Sequence, residues 1–109
     1  MIHKELDHQS MLLAARIARE LPERPEWIEA ARANLRRWMA RNADSPGLRR
    51  AYQEWLTLLE QPVDRICQAM LASTDEGQRL RQNSPFAGVL SPGEVWAIKR
   101  SARHEHRAA

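Results

Sequence analysis

Apolar positions along this chain recur at intervals of three and four, not two, and β-branched residues are sparse. A period near 3.6 belongs to the α-helix, and a scarcity of β-branched residues argues against strands. Proline at 22, 25, 46, 62, 85 and 92 and glycine at 47, 77, 88 and 93 punctuate the pattern. The first predicted helix spans roughly 3–20, with Leu6, Leu13 and Ile17 on one stripe, and Pro22 and Pro25 stop it. The second runs from about 26 to 42 on Ile28, Ala31, Leu35, Trp38 and Met39. Ser45-Pro46-Gly47 opens a third, with serine at the cap and proline in the first turn. Leu48, Tyr52, Trp55, Leu56 and Leu59 line its face. After Gln61-Pro62, a fourth stripe holds Val63, Ile66, Cys67, Met70 and Leu71, so 45–71 reads as an antiparallel helical hairpin.

Beyond residue 71 the character changes. Ser73-Thr74-Asp75-Glu76 reads as a capping box that opens a short polar helix to about residue 82. Ser84-Pro85-Phe86-Ala87-Gly88-Val89-Leu90 is uncharged, too broken for helix and too apolar for an ordinary solvated loop. Ser91-Pro92-Gly93-Glu94 is a second capping box, leading a last helix to about residue 103. The expected fold is all-α: a compact bundle of five to six short helices with an irregular SPFAGVL segment between the last two. Helices one to four should form the core, with 73–103 packed across it or on a partner. A single domain is expected over 1–103, with 104–109 a frayed basic tail.

Composition narrows the classes. At 109 residues the chain closes one thin core, burying about 65% of its unfolded surface. One cysteine, Cys67, excludes an internal disulfide and a thiolate metal cluster. No apolar run approaches a membrane span, and no signal peptide is visible, so a cytoplasmic protein is expected. The net charge is +3. Its cations are nearly all arginine, 15 against two lysines, a bias that codon usage in a GC-rich genome explains without nucleic-acid chemistry.

Candidate chemistry is sparse. His104-x-His106 resembles a chelating pair, but it sits in the expected tail with no fixed third ligand, so no metal is assigned. Cys67 stands in an apolar stripe and reads as a core residue, not a nucleophile. Asp75, Glu76 and Glu94 explain themselves as helix-start acids. There is no phosphate loop and no zinc-protease motif. No enzyme activity and no cofactor are expected. Arg36, Arg37 and Arg41 make the best nucleic-acid stripe, yet 21–60 nets only +1, which suits a solvated, salt-bridged face as well. Of four tryptophans, Trp38 and Trp55 fall on helix stripes, whereas Trp27 and Trp96 do not place themselves. Tryptophan favours interfaces because it buries a large area at little rotamer cost.

The richest stretch runs from Gly77 to Leu90. Phe86, Val89 and Leu90 form a compact apolar anchor on stiff backbone, preceded by Arg79 and Arg81. Two readings stand side by side. In one the anchor plugs the end of the helical bundle. In the other it docks on a partner, since apolar anchors rimmed by arginine mark binding hot spots.

The run L-R-Q-N-S-P-F-A-G-V-L-S-P-G-E-V-W-A-I, residues 80–98, resembles the C-terminal signature of a group of small helical bacterial proteins encoded beside toxins. The resemblance covers those 19 residues closely and the helical first part only in style. It implies an antitoxin-like role whose partner is a toxin of the nucleotidyltransferase-like or RNase-like class, and it carries no catalytic residues. The long charged tail with which many antitoxins wrap their toxins is missing from this chain. The expected partner-binding residues are Arg79, Arg81, Ser84, Pro85, Phe86, Val89, Leu90 and Trp96, with Phe86, Val89, Leu90 and Trp96 filling an apolar groove. The competing expectation is a small DNA-binding regulator on operator DNA through Arg36, Arg37 and Arg41. A third is a homodimer that buries Trp27 or Trp96.

Overall fold

The computed structural model describes residues 2–108, with side chains described from 7 to 104. Six helices follow one another: α1 (Ile2–Glu20), α2 (Glu26–Arg41), α3 (Pro46–Leu58), α4 (Val63–Leu71), α5 (Asp75–Gln82) and α6 (Pro92–Ala108). A single 3₁₀ turn, Leu21–Glu23, bends the chain between α1 and α2 at Pro22. The architecture is an all-α bundle, with no strand among the described residues.

α1 is the hub, packing against α4, α5 and α6. α2 pairs with α3, and α4 with α5. The expected 45–71 hairpin is therefore replaced by an α2–α3 pair. Pro62, in extended backbone (φ −57°, ψ 153°), swings the nine-residue α4 away from α3 and onto α1. Leu21, Ala31, Leu35, Trp55 and Ile66 are wholly buried. Each large side chain among them contributes about 2 kcal/mol by leaving water. The core extends past residue 71: Leu80, Phe86, Leu90 and Ala102 belong to it. The Phe86 ring meets Trp55 edge-on, with centroids 5.9 Å apart and planes at 81°. Trp38 and Tyr52 make a second aromatic pair at 5.7 Å.

Two boundaries differ from expectation. The cap of α5 is Thr74 and not Ser73: the Thr74 hydroxyl accepts from the Gly77 N–H at 3.1 Å. α6 continues to Ala108, through the expected tail. Ala102, completely buried, anchors its last turns to the bundle, and no proline or glycine follows to stop the helix.

Candidate functional site

The 83–91 segment lies across the bundle between α5 and α6. Its internal brace is a turn in which Val89 N–H donates to the Phe86 carbonyl at 3.3 Å. Gly88 sits at φ 86°, a conformation that side-chain-bearing residues rarely adopt. The outer brace comes from α2. The buried Asn34 amide donates to the Pro85 carbonyl (2.8 Å) and to the Ala87 carbonyl (3.1 Å). Its own oxygen accepts from Arg37.

Set against this frame, the predicted partner residues divide. Phe86 is 3% exposed, and Pro85 and Leu90 are likewise buried. They close the bundle, and a partner would have to open the core to reach them. The apolar anchor thus follows the plug reading, because Trp55 and Asn34 offer it a matched ring and matched donors within the chain. Ser84 and Val89 are half-buried. Arg81, too, is turned inward. Only 7% exposed, it donates through Nη1 to the carbonyls of Met70 (2.9 Å) and Ala72 (2.8 Å), completing the C-terminus of α4. Its Nη2 lies 3.5 Å from the Asp7 carboxylate. Arg79 is exposed but held by Glu54 at 2.9 Å.

Trp96 is different. On the outer face of α6 it is 54% exposed, one of only two large apolar side chains so placed among the described residues. The guanidinium groups of Arg100 and Arg103 stand 6.0 and 5.8 Å from its ring centroid, at cation–π distance. To the expected Trp96 the structure adds two cations, Arg100 and Arg103, that the sequence reading did not single out. The signal was present in the spacing, since 96, 100 and 103 share a helix face.

Among the arginines of the proposed nucleic-acid stripe, Arg37 is engaged with Asn34. Arg36 and Arg41 are exposed and make no ion pair among the described residues. Cys67 is half-buried, its thiol directed to the Ala18 carbonyl at 3.6 Å. Burial, assisted by Asp64, pushes that thiol up from its ordinary value and keeps it protonated, the unreactive form. His104 is exposed, whereas the side chains of His3 and His106 lie outside the described residues. No three His, Cys, Asp or Glu groups come together for a metal among the described residues. No described helix is long and apolar enough to cross a membrane.

No protein-family model, no curated protein and no solved structure matches this chain.

Proposed function

We propose that the chain is a non-enzymatic interaction module, the antitoxin half of a bacterial toxin–antitoxin pair, and that it holds its toxin through the outer face of α6. The observation that carries the interaction is Trp96, exposed on a helix with two arginines over its ring. Leaving an indole in water forgoes the burial it gains at an interface, and Trp and Arg together are the commonest hot-spot types. The cationic rim suits an acidic groove on the toxin. The resemblance of 80–98 to toxin-linked helical proteins supplies the partner's class, nucleotidyltransferase-like or RNase-like. Inhibition is steric: the helix covers the toxin surface and contributes no chemistry.

The test is co-purification of the tagged protein from its native host with the toxic protein encoded beside it. A stoichiometric complex is expected. Trp96→Ala should weaken it by about 2 kcal/mol or more, roughly thirtyfold, with the circular dichroism melt unchanged. Recovery of the protein without that neighbour, or a Trp96→Ala complex of undiminished affinity, defeats the reading. Phe86→Ala serves as the contrasting variant, because it should lower stability whatever the partner.

A second reading, a small DNA-binding regulator, is favoured by one local feature. α3 (Pro46–Leu58) carries Arg49 and Arg50 as its fourth and fifth residues and has no acid in its first turn, against the preference of the helix dipole. These two, with Arg36 and Arg41, are exposed and lack ion-pair partners among the described residues. On this reading, duplex DNA binds with an affinity that falls steeply with salt, and Arg36→Ala with Arg41→Ala flattens that slope. Binding that ignores salt, or none at all, excludes it.

A further inference from the structure

Beside the 83–91 segment the bundle holds two adjoining, partly open cavities of unlike chemistry. The inner one, about 340 Å³, has walls built from Leu13, Ile17, Trp55, Met70, Phe86 and Leu90. The outer one, about 350 Å³, is lined by Asp7, Gln9, Gln78, Gln82 and their neighbours. Ser10, Leu13, Arg81 and Lys99 border both, so the junction between the apolar chamber and its polar mouth carries two cations. Asp7 is the single carboxylate at that mouth among the described residues, leaving one net positive charge. Arg81 is fixed in place through its Nη atoms, yet its buried Nε–H makes no hydrogen bond, and the neighbouring Asp7 Oδ1, 3.5 Å from Nη2, likewise makes none. Lys99 is half-buried and has no ion-pair or hydrogen-bond partner among the described residues. A buried donor such as the Arg81 Nε–H is normally satisfied.

We infer that this site binds a small amphipathic monocarboxylate, a medium-chain fatty acid, with its acyl chain in the inner chamber and its head group on Arg81 and Lys99. The size fits, since ligand pockets start near 300 Å³ and combine mostly apolar walls with a few placed polar groups. The charge fits as well: one net cation calls for a monoanion, and a carboxylate accepts from an arginine N–H and a lysine ammonium at once. The inference is independent of any toxin, because Trp96 does not line the chamber.

The experiment titrates decanoate into the full chain, below its micelle concentration, by calorimetry. The indole N–H resonance of Trp55, on the chamber wall and bonded to the Leu80 carbonyl at 2.9 Å, serves as a local reporter. Decanoate should bind saturably and move that resonance, with decanol about tenfold weaker for want of the charge-assisted bonds. Lys99→Gln should bring decanoate down to the decanol level and leave decanol unchanged. Ala14→Leu, which fills the chamber from α1, should abolish both. Val95→Phe, filling it from α6, gives the same answer should Ala14→Leu fail to fold. No saturable binding by the folded chain overturns the inference, as does full affinity in a folded chamber-filling variant. Equal binding of decanoate and decanol, with Lys99→Gln silent, overturns the head-group assignment.

Discussion

Asn34 decides how the irregular segment is held. It occupies the apolar side of α2 between Ala31 and Leu35, where its amide donates to two carbonyls some fifty positions further along the chain. Removing it leaves the Pro85 and Ala87 carbonyls without their donor, at a cost of about 2 kcal/mol. Asn34→Ala should therefore lower the urea midpoint with no change in slope, and amide exchange should accelerate in 84–90 before the rest of the chain. Uniform exchange would mean that the segment is held by packing alone. The position was legible only in part. A polar amide on an apolar stripe signals a buried partner, but no spacing rule says where in the chain that partner lies. Arg81 makes the same point: next to Arg79 in a polar helix it looks like a surface charge, and only the third dimension turns it inward.

The helices themselves were readable because their starts and stops are local chemistry. α4 and α5 end where proline, the apolar stripe and the caps place them. The role of Gly77 was not readable, since a glycine inside a helix looks like a weakness. A Cβ at that position would stand 2.2 Å from the Ala72 carbonyl oxygen, so the glycine lets α5 start directly against the end of α4. Gly77→Ala gains about 1 kcal/mol of helix propensity and loses more through a backbone clash, typically up to ~3 kcal/mol. A lower Tm is expected; a higher one would mean that the two helices part freely.

At the start of α6 the capping box closes in both directions. Glu94 N–H donates to the Ser91 hydroxyl at 3.1 Å, and Ser91 N–H donates to the Glu94 carboxylate at 3.0 Å. Arg16 of α1 adds a bond at 2.6 Å. The Ser91 bonds first, and Arg16 after them, hold the Glu94 carboxyl below its ordinary value. A depressed native value means that the stabilisation is complete above the unfolded value, near 4.3, and fades as pH falls through the native one. Glu94→Gln should reduce the Tm modestly at neutral pH and narrow its gap to the parent chain with acidification. A gap that widens in acid would reverse the sign.

For the molecule as a whole, the all-α class followed from periodicity and the helix order from punctuation. What the pattern could not supply was the pairing: α2 with α3, and α1 with α4, α5 and α6. Helical stripes say that a face is buried but not against what. The same limit explains the partner residues. Phe86, Leu90 and Trp96 carry alike apolar signals in the sequence, and only the fold turns the first two inward and leaves Trp96 outside.

The α1–α6 contact has a consequence for the order of assembly on the ribosome. α2 and α3 are neighbours in sequence and can pair as soon as both emerge, because closing a short loop costs little entropy. α1 has to wait for nearly the entire chain before α6 reaches it. Until α4 and α5 emerge its apolar stripe stays exposed to chaperones and to other nascent chains, and the part that faces α6 stays so longest. The first helix made is thus among the last to be secured, and its shelter in the interim depends on the cell.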